Sequence, residues 1–169
     1  MRRCLRWRWL RLKRWLRKKP EGLFDYLYQV FNCLFINLVW VFLIGAIVTI
    51  WDFGCIQKWE IGDYLIFFPM AYLEELTFRW MPLCFLIALF GKKRISVLLI
   101  ASLISSFFFG LVHGHWYNLG LQGVLGIVFC AFFIKCSTTK RPFSLQLPAL
   151  LVTTTAHALY NICVVFFST

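Results

Sequence analysis

The stretch YLIFFPMAYLEELTFRWMPLCFLIALF, residues 64–90, decides how the chain is read. It is long and apolar enough to cross a bilayer as one helix, which takes about 20 residues. Yet Glu74, Glu75 and Arg79 stand in its middle. Ionisable groups at bilayer depth are expensive, and they persist where they face the bundle interior, pair with one another and serve a function. On a helix Glu75 and Arg79, four apart, share a face and can pair, while Glu74 points about 100° away. An ion pair that merely fixes helix packing uses one acid and the base. The other acid is left over, and it makes the span a candidate site.

The composition agrees with a membrane setting. Of 169 residues, 61% are hydrophobic, 20% aromatic and only 15% charged, too apolar for an ordinary soluble domain. The net charge of +11 does not point to nucleic acid, because ten of the eighteen Lys and Arg fall in the first nineteen residues. There, basic residues interleave with Trp7, Trp9, Leu10, Trp15 and Leu16, and Leu5, Trp9, Leu12 and Leu16 share a helical face. Such a segment suits an anionic membrane surface; the charges alone also suffice to hold this end in the cytoplasm. The apolar run that follows is too long for a signal-peptide core and reads as a retained anchor. Cys4, Cys33, Cys55, Cys84, Cys130, Cys136 and Cys163 are scattered without a CxxC. Neither a disulfide framework nor a zinc knuckle is indicated, and they read as free thiols.

The expected architecture is all-α: a multi-pass transmembrane helical bundle of about five spans. A basic amphipathic segment occupies residues 1–22 and the transmembrane domain residues 23–169, with the motif-bearing core from residue 64 onward. The spans run near Leu27 to Trp51, Tyr64 to Phe90, Ile95 to Val112, Leu119 to Ile134 and Phe143 to Phe167. Asp52, Lys58, Glu60 and Asp63 fall in one loop, Lys92, Lys93 and Arg94 in the next, none at His113 to Asn118, then Lys135, Lys140 and Arg141. The basic loops share a side with the basic amino terminus, which predicts a cytoplasmic amino terminus and a non-cytoplasmic carboxy terminus in a plasma or inner membrane. Pro69 and Pro82 flank the charged run, each removing a backbone donor.

Further polar groups sit late in their spans. His113 closes the third, as either a hydrogen-bonded structural group or a catalytic one. His115, two residues on, reads as interfacial. His157 and Asn161 share a face of the fifth span. Thr153, Thr154 and Thr155 read as backbone-bonding hydroxyls, and no Ser or Cys stands in a base-activated setting. At about 1.5 Å per residue from the cytoplasmic ends, Glu74, His113 and His157 lie roughly 24, 27 and 21 Å up their helices. They can therefore form one cluster in the outer third of the bilayer, close enough to the far surface for water to enter.

The ordered motifs EExxxR (Glu74, Glu75, Arg79), FxxxH (Phe109, His113) and HxxxN (His157, Asn161), each on its own span, resemble the CPBP family of intramembrane proteases. That family includes the CAAX endopeptidases and bacteriocin-processing or immunity proteins. Trp80 departs from the pattern, since relatives often carry Gly after the Arg. The resemblance implies peptide-bond hydrolysis of a glutamate type with no cofactor required: Glu74 takes the proton of a water held with His113, His157 and Asn161 donate to the oxyanion, and Glu75 with Arg79 supports them. The loop charges turn the cluster toward the non-cytoplasmic face, which suits a membrane-associated or exported peptide or protein as substrate ahead of a cytosolic prenylated tail, and the short chain leaves room for a substrate-selecting membrane partner beside the lipids. Two other readings stand. Glu74, His113 and His157 are also the donor types of a catalytic zinc site, although HExxH is absent. A non-catalytic scaffold or immunity protein could bind a peptide in the same cavity.

Overall fold

The structure, a computed structural model, describes residues 2–50, 64–114, 116–138 and 146–168. Asp52, Cys55, Lys58, Glu60, Asp63, His115, Lys140 and Arg141 lie outside the described residues. The architecture is all-helical: α1 (Arg2–Arg17), α2 (Leu23–Ile50), α3 (Tyr64–Glu75), a π turn (Leu76–Trp80), α4 (Met81–Phe90), α5 (Ile95–Val112), α6 (Gln122–Cys136) and α7 (Leu147–Ser168), with short 3-10 turns at Gly91–Lys93 and Trp116–Leu119. In hydrocarbon no water is at hand to satisfy the backbone, so each apolar run satisfies its own as helix.

Four helices are individually long and apolar enough to cross a membrane: Leu23–Ile44, Ile95–Val112, Trp116–Cys136 and Leu147–Val164. The second expected span is absent from that set because it is interrupted. Its 12, 5 and 10 residues of α3, π turn and α4 run on without a break, about 40 Å of helix at ~1.5 Å per residue. With it the bundle has the five expected spans. Burial sorts them into centre and rim: half or more of the apolar windows of α6 and α7 is buried, 56% and 50%, against 22% for α2. Phe129, Phe133, Leu150, Ala156 and Tyr160 of these two helices sit in the core, whereas Phe24 and Leu65 lie on the outer surface, where lipid would meet them.

The α5–α6 contact is close because small residues line it. A Cβ on Gly110 would lie 3.0 Å from the Asn118 carbonyl oxygen, and one on Gly126 would lie 3.0 Å from the Ser106 side chain. Small residues at helix interfaces let backbones approach where no hydrophobic effect drives helices together.

At one end of the bundle α1 is docked by two lysines. Lys135 Nζ donates to the carbonyls of Trp15 and Lys18, both at 3.3 Å, and Lys92 Nζ to those of Leu16 at 3.5 Å and Lys135 at 3.1 Å. Cations here satisfy orphan carbonyls at the end of α1 and complement its dipole. Leu16 is fully buried beneath them, Trp15 lies under Lys135 and meets Phe132 edge-on, while Leu12 of the same expected face stays exposed.

The π turn has a local cause. Pro82 has no N–H, so the carbonyl of Phe78, four residues earlier, loses its usual helical donor. Met81 N–H bonds five residues back to Leu76, and the hydroxyl of Ser105 on α5 donates to the Phe78 carbonyl. Extra-wide turns of this kind gather at functional sites. Removing the hydroxyl in Ser105→Ala should cost about 1–3 kcal/mol by stranding that carbonyl. Adding Pro82→Ala supplies an N–H and should restore part of the loss in thermal melts. A double variant no more stable than Ser105→Ala would show that Pro82 does not create the need.

Candidate active site

The π turn carries Arg79 inward directly after Glu74 and Glu75 close α3. Glu75 and Arg79 are both fully buried, with Arg79 Nη1 at 3.3 Å from Glu75 Oε1. The contact is one of charge more than of aligned hydrogen bonds: Glu75 Oε2 and the three guanidinium nitrogens have no hydrogen-bond partner among the described residues. The rest of the guanidinium's environment is aromatic. Its carbon lies 4.1 Å from the ring centre of Phe109 and 5.4 Å from that of Phe129, within the reach of cation–π attraction. Gly126 makes room, since a Cβ there would come within 3.1 Å of Arg79 Nη2.

His157 of α7 joins the two acids. Its Nδ1 lies 3.0 Å from Glu75 Oε1 and its Nε2 lies 3.5 Å from Glu74 Oε2. Its ring stacks on Phe129 at 4.7 Å and 26°. A carboxylate only accepts, so Nδ1 carries a proton towards Glu75; Nε2 then donates only when the ring is imidazolium. In that state two carboxylates face two cations, and the leftover acid acquires a counter-charge. The adjacent acids differ sharply in access, with side chains 25% exposed for Glu74 and 0% for Glu75.

His113 ends α5 a step away. Its Nδ1 lies 2.7 Å from the Phe109 carbonyl oxygen; a carbonyl only accepts, so Nδ1 carries a proton and Nε2 is the ring nitrogen left for other partners. Its ring meets Phe109 at 4.7 Å, and Phe109 in turn meets His157 at 5.8 Å. Phe109 thus stands between the two histidines. Asn118 holds the turn from the other side by donating to the His113 carbonyl at 2.7 Å. Asn161 is half-buried, one turn beyond His157 on α7. Among the described residues, no group of three or more His, Cys, Asp and Glu side chains is placed to hold a metal ion.

A sequence model described as type II CAAX prenyl endopeptidase, Rce1-like, matches residues 37–163. The chain belongs to this family. The Rce1-like region takes in every residue of the site and leaves α1 and the first half of α2 outside it. A search of the curated proteins and of the solved structures found no match.

Within the Rce1-like region the motifs give the charged and polar members of the site but not its walls. Phe129, Gly126, Ser105 and Ser106 lie in runs whose apolar or small character says nothing of Arg79. The weak signal was Gly123 and Gly126 three apart on one span, a small-residue face. Breaking one partner of a buried pair strands the other, at about 3–5 kcal/mol in soluble proteins. Arg79→Ala should therefore melt well below the intact protein in detergent, and Glu75→Gln with Arg79→Gln should recover part of the difference. A double variant no better folded than the single would remove Glu75 as the partner that matters.

Proposed function

We propose that this protein is an intramembrane endopeptidase that hydrolyses a peptide bond in a membrane-associated or exported peptide or protein, using a glutamate-activated water. The observation that carries the reading is the unequal access of two adjacent acids bridged by one histidine. Glu75 is sealed and paired with Arg79, while a quarter of the Glu74 side chain is exposed. A general base must reach the water it deprotonates, and of the two only Glu74 meets that condition.

In this mechanism the water gives a proton to Glu74 as its oxygen adds to the scissile carbonyl carbon. With the His113 ring neutral, its Nε2 accepts the water's other hydrogen as a hydrogen bond and aims the attacking oxygen. The oxyanion takes hydrogen bonds from Asn161 and from Nε2–H of His157 imidazolium, which Glu75 holds in orientation through Nδ1. Glu74 then passes its proton to the amide nitrogen, the C–N bond breaks, and an acid and an amine leave. Donors fixed in place for charge that develops in the transition state are the main source of such acceleration. No step uses a metal ion.

The substrate side follows from charge. The end of α1, the Gly91–Lys93 turn and the end of α6 meet at one end of the bundle through Lys92 and Lys135, which supports placing these basic segments together in the cytoplasm. The site then opens to the opposite face. That suits exported or membrane-anchored substrates, and ranks a cytosolic prenylated tail below them. Cys55, in the loop expected on that face, should react with an impermeant thiol reagent added from the non-cytoplasmic side of sealed vesicles. Labelling only from the cytoplasmic side would reverse the orientation and favour the prenylated tail.

The catalytic assignment is tested with purified protein, candidate membrane peptides and mass spectrometry. Glu74→Gln should be folded and lose about 10²–10⁴ in rate, and His113→Ala should be comparably inactive. Asn161→Ala should lose on the order of 10²–10³, as should His157→Ala. Chelators should leave the intact enzyme active. Activity abolished by metal stripping and restored by zinc would replace the glutamate base with a metal-bound water, and full activity in Glu74→Gln would remove the assignment altogether.

A further inference from the structure

Away from the Glu75–Arg79–His157 cluster, positive charge gathers along α1 and where its end meets the α4–α5 turn. A cavity of about 620 Å³ is lined by Arg17, Phe90, Gly91, Lys92 and Lys93. Three cations from two segments 76 residues apart in sequence meet there. Among the described residues none of them pairs with a carboxylate; the ion pairs all lie at Glu74 and Glu75. Their backbone contacts hold them together in spite of mutual repulsion: Arg17 Nη2 donates to the Lys93 carbonyl at 3.2 Å, and Lys92 to two further carbonyls. Burial pushes the Lys92 pKa down to about 8, so a neighbouring anion would favour its charged form.

The level of the cavity identifies the anion. Phe90 ends α4, and Ile95 opens the next membrane-crossing helix, so the turn between them lies where hydrocarbon gives way to headgroups. Phe90, 43% exposed, supplies an apolar wall beside the cations, and exposed Trp7 and Trp15 of α1 are the side chains that settle at that level. The volume falls within the ~300–1,000 Å³ typical of small-molecule sites. Basic pockets beside membrane helices are suited to phosphate headgroups.

We propose that this cavity binds the phosphate headgroup of an anionic phospholipid, which bridges the end of α1 to the α4–α5 turn. Arg17 and Lys93, both exposed, reach the phosphate oxygens, and Lys92 supplies the charge beneath them. The acyl chains remain in the bilayer beside Phe90. A free phosphate ion has the charge but gains nothing from the interface or the apolar wall.

The test is native mass spectrometry of the full chain in detergent, titrated with phosphatidylglycerol, phosphatidylcholine or inorganic phosphate, alongside thermal melts. One phosphatidylglycerol should be retained in preference to phosphatidylcholine and should raise the melting temperature of the intact protein. Arg17→Gln with Lys93→Gln should weaken its retention on the order of fivefold per charge removed. Arg8→Gln with Arg11→Gln, which removes the same charge from α1 outside the cavity, should leave it unchanged. Equal weakening in both double variants would mean diffuse attraction to the basic helix and overturn the site. Inorganic phosphate displacing the lipid at equal concentration would make it a free-anion site instead. Should the cavity variant fail to fold, the intact protein still decides: no melting shift with phosphatidylglycerol over phosphatidylcholine rejects the proposal.

Discussion

The burial of Arg79 is the constraint on which the rest of the bundle depends. A guanidinium with no exposed surface in a membrane interior needs opposite charge, polarisable faces and room, and three helices besides its own provide them. Glu75 gives the charge from one turn earlier, Phe109 of α5 and Phe129 of α6 give ring faces, and Gly126 gives the space. His157 of α7 then closes on the same carboxylate. The helices that carry the motifs are therefore held in register by one cation, and the geometry around Glu74 follows from that packing.

Much of this was legible in the sequence, and the limit of legibility has a physical origin. Charge in an apolar run stands out because hydrocarbon makes it expensive, so Glu74, Glu75 and Arg79 are conspicuous in the sequence, and the expected depths of Glu74, His113 and His157 lie close together. The spacing of Glu75 and Arg79 gave their pairing, which the structure shows as an ion pair. The link from His157 to both acids was not legible, because it joins residues 82 positions apart. Nor were the π turn and its filling by Ser105, although Pro82 announced a missing donor. A proline says that a carbonyl is left over; it does not say which neighbour will answer it. Phe129 and Gly126 were invisible for the opposite reason. In a lipid-spanning segment an aromatic ring or a glycine is unremarkable whether it faces a cation or an acyl chain.

Membrane surroundings also invert the usual meaning of exposure. Phe24 and Leu65 are among the most exposed residues of the structure, as lipid-facing residues should be, while Glu75 and Arg79 in the middle of their span are fully enclosed. The small-residue seam between α5 and α6 does what a greasy core does in water: it brings two helices within backbone contact, and so sets how far Phe109 and Phe129 stand from the guanidinium between them.

The bridge from His157 to the two acids has a consequence for how the protein is made. Glu74, Glu75 and Arg79 enter the membrane on one span with a negative excess, and the side chain able to balance it arrives on the last helix. At ~5–20 residues per second, the 82 residues between Glu75 and His157 take about 4–16 s to synthesise. For that interval the nascent chain holds an acid at bilayer depth without the imidazole that it finally faces. The span is then the one least committed to lipid, and its final seating waits on the end of translation.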